Sequence, residues 1–200
     1  DALLEVVRSL DGGQTFELAT VANTAAAGGE VCECCTASVM SDSDGDIFLS
    51  FRNNDNNIRD IWVAKSDNGA TSFDLATDID DTDWESFVCP SSGPMSIESG
   101  DDLVSVFFSA GGGSSSVYVS TVNRSTMVAG TQWQMPTFTG DPVTQNYPRI
   151  AGDGNVMAMV WEENATGSKD VLFAFSENGA ADLTNESIVL AGGAFSQRNP

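Results

Sequence analysis

Ser9-Leu10-Asp11-Gly12-Gly13-Gln14-Thr15-Phe16 decides how this chain is read. The octet follows an apolar run (Leu3, Leu4, Val6, Val7) and has the form Ser-x-Asp-x-Gly-x-Thr-aromatic. A strand ending this way enters a tight turn in which each residue type has a task. Ser and Asp side chains accept backbone N–H groups, Gly takes positive φ, and the aromatic re-enters the sheet as an anchor.

Weaker copies return at a regular interval. Ser66-Asp67-Asn68-Gly69-Ala70-Thr71-Ser72-Phe73 begins 57 residues after Ser9, with Asn in the Asp slot. Ser176–Leu183 begins 110 residues after Ser66, which is two periods of about 55. Between them one copy has lost its turn motif, with Val122 at the Ser position. The strand before the turn also recurs, as Ile61–Lys65, Val117–Thr121 and Val171–Phe175, so that Trp62, Tyr118 and Leu172 align. A second strand repeats upstream as Ile47–Phe51, Leu103–Phe108 and Val156–Trp161. Four short strands in each period is the requirement of a propeller blade. The fold class is therefore all-β, a β-propeller of four-stranded antiparallel blades. The octet resembles the Asp-box (BNR) repeat of sialidase-like propellers, and that resemblance implies a six-bladed propeller of which this chain supplies part.

The period sets the boundaries. Residues 1–23 give the outer half of one blade, and whole blades cover about 36–80, 93–138 and 147–190. Residues 194–200 read as the start of a further inner strand. A propeller that starts in mid-blade leaves edge strands unpaired, so a longer chain is expected. Pro90, Pro94, Pro136, Pro142 and Pro148 punctuate the joins, outside the expected strands. Runs such as Leu103–Phe108 are apolar on both faces, as strands stacked between two neighbours must be.

Composition excludes several functions. The chain holds 8 basic and 29 acidic residues, for a net charge of −21. Nucleic acid and anionic membranes need clustered positive charge and are not expected partners. There is no histidine, so Ser-His-Asp and Cys-His catalysis and His-ligated metals are excluded within this stretch. No signal peptide or membrane-spanning run is read.

Four cysteines form the second signal: Cys32, Cys34 and Cys35 before the second blade, and Cys89 before the third. Strand order places both in loops that lead from an outer strand to the next inner strand, side by side on one face. The expectation is two disulfides, one of which links Cys89 to the Cys32–Cys35 loop. A thiolate site for Cu or Zn is the functional alternative. The pattern Cys32, Cys34, Cys35, Arg52, Arg59-Asp60-Ile61, Cys89-Pro90 and Gly93-Pro94 resembles bacterial sialidase-like propellers. That resemblance implies export, with a secreted, periplasmic or cell-surface location.

The same topology gathers the polar candidates at the cysteine-bearing mouth. Arg52, Arg59, Asp60, Arg149 and Glu162 are the expected ligand contacts, for a protein or carbohydrate partner. Asp42, Asp44 and Asp46, alternating on the opposite face, are the calcium candidates, although no EF-hand Glu or helices flank them. No other cofactor is expected. The sialidase catalytic set is not matched, because Tyr147-Pro148-Arg149-Ile150 scrambles its aromatic-Arg-Ile-Pro motif. The sequence reads first as an exported binding or assembly module without catalysis of its own. A glycoside hydrolase of the exo-sialidase type, with part of its catalytic set in other blades, is the alternative.

Overall fold

The recurring apolar runs become the middle strands of three four-stranded antiparallel sheets. The computed structural model describes residues 2–139, 143–164, 167–193, 195–198 and 200. Two short strands, Glu5–Val6 (β1) and Thr20–Val21 (β2), pair around the first turn. Ser38–Ser41 (β3), Ile47–Arg52 (β4), Ile61–Ser66 (β5) and Leu75–Asp78 (β6) make the second blade. Met95–Ser99 (β7), Asp102–Ser109 (β8), Ser116–Asn123 (β9) and Ala129–Gln134 (β10) make the third. Gln145–Asp153 (β11), Val156–Glu163 (β12), Asp170–Ser176 (β13) and Ile188–Ala191 (β14) make the fourth. In each sheet the strands lie in chain order, as blades of a β-propeller do. The period holds at the level of register. Trp62 opposes Phe51, Tyr118 opposes Phe107 and Leu172 opposes Trp161, at the same place in each blade.

Both faces of the middle strands of the second and third blades are used. Along β4 and β5, Phe48, Ile61 and Val63 pack against Leu103, Phe107 and Tyr118 of the third blade. Their alternates Leu49, Phe51 and Ala64 pack the other way, with Ala22, Leu4 and Val6 of the first. The third blade then offers Val104, Val106, Val117 and Val119 to Ile150, Met157, Met159, Trp161 and Leu172 of the fourth. The core is thus three inter-blade layers, and no blade has a core of its own. One polar thread crosses the second layer: Ser50, Ser96 and Ser105 are fully buried and joined Oγ to Oγ at 2.5 and 2.7 Å.

The turns follow their residues. Ser9 Oγ accepts the Gly13 N–H (2.7 Å), and Asp11 Oδ1 accepts those of Gln14 (3.0 Å) and Thr15 (2.9 Å). One period on, Ser66 Oγ accepts Ala70 N–H (2.9 Å), and Asn68 Oδ1 accepts Thr71 (3.1 Å) and Ser72 (3.0 Å). The bonds match one for one, and Ala70 keeps positive φ where the first copy has Gly13. In the third copy the loss of Thr and the aromatic releases the chain into a short 3₁₀ turn, Ala180–Thr184, where no helix was expected. Its Leu183 is buried and fills the anchor position.

Two expectations change. Pro148 lies inside β11 rather than at a join, because the register shifts between Asn146 and Arg149. An edge strand and a bulge are the two settings where a sheet tolerates proline, and β11 offers both. Residues 194–200 contain no strand among those described; Ala194 and Asn199 lie outside them.

Gly93, at the join of the second and third blades, has no room for a side chain. A Cβ there would stand 1.7 Å from the Thr36 carbonyl oxygen. Backbone cannot yield as a side-chain end can, so Gly93→Ala is expected to lose about 3 kcal/mol or more. Urea titration would check this; a loss under about 1 kcal/mol would show the join to be loose.

Candidate functional site: the cysteine-bearing mouth

Antiparallel strands in chain order put the same set of strand ends on one face of every blade. That face carries the end of β4, the start of β5, the end of β6, the start of β11, the end of β12 and the start of β13. The loop from β6 to β7 crosses it from the outer to the inner strand. A disulfide joins Cys34 to Cys89, Cα atoms 6.2 Å apart, and ties that loop to the one before β3. Cys32 and Cys35 are not bonded, with Sγ atoms 2.7 Å apart.

Arg52 is the hub of the second-blade half. It is 1% exposed and donates to the carbonyls of Ser92 (3.2 Å), Arg59 and Phe108, with its guanidinium 5.1 Å from the Trp84 ring. These contacts spend the arginine internally. An Arg at a strand end reads as solvent-facing in sequence; here the crossing loop 79–94 lies over it. Asp60 is also buried, and its Oδ1 caps the Trp84 N–H at 2.9 Å. Arg59 remains partly open. It donates to Ser86 O (3.0 Å), stands beside Cys32, and lines a cleft of about 190 Å³ with Glu30, Glu33 and Asn54.

The end of β6 and the start of the crossing loop add two further carboxylates close to Asp60: Asp78 and Asp80. Burial raises Asp60 to about 6, and both Asp78 and Asp80 to about 7. Negative neighbours add to this: Asp83 and Asp81 on Asp60; Asp60, Asp80 and Asp83 on Asp78; and Asp60 on Asp80. Arg52 acts in the opposite sense on Asp60 and Asp80, without cancelling the cost of burial.

The fourth-blade half is built differently. Glu162, 1% exposed, pairs with Lys169 Nζ at 2.7 Å, and that ammonium lies 5.6 Å from the Tyr147 ring centre. Tyr147 sits in the β11 bulge at φ +53, held by its N–H to Asn146 Oδ1 at 2.7 Å. A bulky residue in the left-handed region is strained, and such residues collect at functional sites. Glu163 is consumed in the core by Phe138 N–H, Gln145 Nε2 and Trp161 Nε1. Arg149 is exposed, donates to Pro148 O, and lines an apolar cleft of about 340 Å³ with Met95 and Ala151. The expected ligand residues therefore form two groups, Arg52–Arg59–Asp60 and Arg149–Glu162, with the third blade between them. Lys169 was missed, although the β12–β13 pairing of Glu163 with Asp170 brings it beside Glu162.

On the opposite face, the Asp42–Asp46 hairpin is held by cations of the protein itself. Asp42 Oδ1 accepts the Asp44 and Asp46 N–H groups, and its Oδ2 pairs with Arg124. Asp46 pairs with Lys65 at 2.7 Å. The three carboxylates do not converge on one point. Among the described residues, the one set of acidic or thiol ligands that does is Cys32, Cys34 and Cys35.

No family model matches the sequence, and no curated protein matches it. Among solved structures the chain is similar to an α-L-arabinanase of Penicillium chrysogenum complexed with arabinobiose. Identity is 13%, the TM-score is 0.62, and 98% of this chain is covered. It is also similar to an α-L-arabinofuranosidase of Fusarium graminearum complexed with arabinobiose, at 13% identity and TM-score 0.61 over 89% of this chain. The chain spans 61% and 55% of the lengths of these two proteins. At that identity the likeness establishes the β-propeller fold.

Two outcomes follow for the mouth. Replacing Arg52 by Met leaves three carbonyls without their donor, and is expected to cost about 3–5 kcal/mol in denaturant titration. The buried aspartates set a pH dependence. Their folded pKa values lie above the ordinary 3.8, so the native state holds protons that the unfolded chain releases. That contribution is complete below about pH 4 and is lost as pH rises through about 6 to 7. The thermal midpoint should therefore be higher near pH 5 than near pH 8, with the difference reduced in Asp80→Asn. An unchanged difference in that variant would place the effect in overall charge repulsion instead.

Proposed function

We propose that this chain belongs to an exported, carbohydrate-active β-propeller of the glycoside hydrolase type, and that sugar meets it at the cysteine-bearing mouth. The observation that carries the reading is Tyr147. A strained bulge on an inner strand presents its half-exposed ring beside the Lys169–Glu162 pair. An aromatic ring next to a carboxylate and an ammonium suits a sugar, whose C–H face stacks on the ring while its hydroxyls bond the charged groups. Glu162 is the carboxylate we assign to the chemistry, with Lys169 positioning it and Arg149 contacting the substrate.

The fold likeness supports the enzyme reading over the binding module, since both similar structures are glycosidases captured with arabinobiose. The first two Ser-x-Asp/Asn turns, with matching bonds, support placement among Asp-box propellers. The disulfide supports an oxidising, extracytoplasmic setting. No helix among the described residues is long and apolar enough to cross a membrane.

The full-length protein should be assayed against arabinobiose, aryl α-L-arabinofuranosides and an aryl sialoside, with arabinobiose binding measured in parallel. Turnover of one of them, reduced about 100-fold or more by Glu162→Gln and weakened by Tyr147→Ala, is the expected result. Binding without turnover, weakened by Tyr147→Ala, would establish the non-catalytic module instead. That reading rests on how many mouth residues, Arg52 and Asp60 among them, are engaged internally. Neither binding nor turnover would remove carbohydrate from the proposal.

A further inference from the structure

The Cys32–Cys35 segment is a Cys-x-x-Cys turn anchored to the mouth. The Cys35 N–H reaches Cys32 O at 3.1 Å, which closes the turn, and the Cys32 N–H reaches Arg52 O at 2.9 Å. The turn is thus fixed to the end of β4. Cys34 is bonded to Cys89, 55 residues on, with its Sγ 3.5 Å from that of Cys32. Cys32 and Cys35 point inward and face each other at 2.7 Å. That separation is shorter than ordinary contact between two sulfurs and approaches the about 2.05 Å of a disulfide bond. Two thiolates sharing a zinc ion at about 2.3 Å each, at a tetrahedral angle, stand roughly 3.8 Å apart. The geometry fits an S–S bond and does not fit a shared metal.

The two sulfurs differ in surroundings. Cys32 is 3% exposed, while Cys35 is half-buried at the mouth. The two thiols share a hydrogen bond in which either sulfur can be the donor, and the Arg59 guanidinium faces Cys32 as well. Cys32 is held down at about 6 by the Cys35 hydrogen bond, and Cys35 is pushed up by the same bond and by burial.

We propose that Cys32 and Cys35 form a redox-active dithiol/disulfide couple, distinct from the structural Cys34–Cys89 bond, that exchanges electrons with low-molecular-weight thiols. In the oxidised form the attacking thiolate reaches Cys35, the less buried residue of the pair. A bond forms between that thiol and Cys35 Sγ, the Cys32–Cys35 bond breaks, and the electron pair leaves on Cys32 as a thiolate facing Arg59. A second thiolate then attacks the outer sulfur of the mixed disulfide. It releases the disulfide of the small thiol and leaves Cys35 to take up a proton. Stabilising Cys32 as the leaving thiolate favours reduction of this pair, and Cys32 Sγ lies closer to Cys35 (2.7 Å) than to Cys34 (3.5 Å).

The full-length protein tests this directly by titration in glutathione buffers of graded redox ratio, with alkylation and peptide mass mapping. Cys32 and Cys35 are expected to become alkylatable together, as a two-electron couple, at a glutathione redox ratio at least tenfold more oxidising than the one that opens Cys34–Cys89. In Cys32→Ser, oxidised glutathione should leave a stable adduct on Cys35. In Cys35→Ser, the buried Cys32 should take up glutathione at least tenfold more slowly. Opening of Cys34–Cys89 first, or of all four cysteines in one step, would overturn the proposal. So would Cys32 and Cys35 that stay reduced in the most oxidising buffer, or stoichiometric zinc or copper held by them in the purified protein.

Discussion

The second and third blades are apolar on both faces, and that constraint shapes the rest of the molecule. A two-sided sheet cannot be stable alone; it needs a neighbour on each side. Phe48 and Leu49, adjacent on β4, belong to different layers, as do Leu103 and Val104 on β8. Burial therefore arises only from stacking, and the joins between blades become the points where stability is decided. Gly93 against the Thr36 carbonyl and the Ser50–Ser96–Ser105 thread both lie at one such join. The Cys34–Cys89 bond reinforces it, worth about 4 kcal/mol on the chain-entropy model for a loop of this length.

Scarcity of positive charge sharpens the picture. With 8 basic residues against 29 acidic ones, cations cannot be spread over the surface. They are placed where the chain folds back on itself. Arg8 reaches Gly69 O and Thr71, linking the first two turns. Arg124 of the third blade pairs with Asp42 of the second, and Lys65 of the second donates to the Arg124 carbonyl at 2.8 Å, which joins the two blades on one face. Arg52 does the same at the mouth. The acidic hairpin that looks like a cation loop thus already holds two of the protein's own cations.

Much of the fold was legible because its period is carried by short-range chemistry. Turn residues such as Ser9 and Asp11 act within four positions, and strands such as Leu103–Phe108 show their two buried faces directly in composition. The cysteine cross-link was legible for a topological reason, since equivalent loops of neighbouring blades lie side by side. The site was less so. Arg52 and Asp60 were rightly placed on the mouth, but a loop 20 to 40 residues away in sequence buries them, and no local pattern announces that. Pro148 reads as a strand breaker because a bulge is a property of the pair β11–β12 and not of either strand. Lys169 has no motif around it. It becomes informative only once β13 is in register with β12.

The strain at Tyr147 argues for function over mere architecture at this end of the fourth blade. A tyrosine at φ +53 costs on the order of 1–3 kcal/mol, where Gly or Asn would hold the same bulge at less cost. The ring is only partly buried and is not a member of the inter-blade layers. What the strain does secure is placement. The bulge re-aims the side chain out of the alternation of β11 and brings the ring to Lys169, which in turn holds Glu162. By contrast, Arg52, Asp60 and Glu163 are polar groups whose partners are complete within the fold. Residues that are strained and partly open are the ones that a ligand can still complete, and on this face Tyr147 is the aromatic one, with Asn56, Asn57, Asp83 and Ser91 at positive φ on the second-blade side.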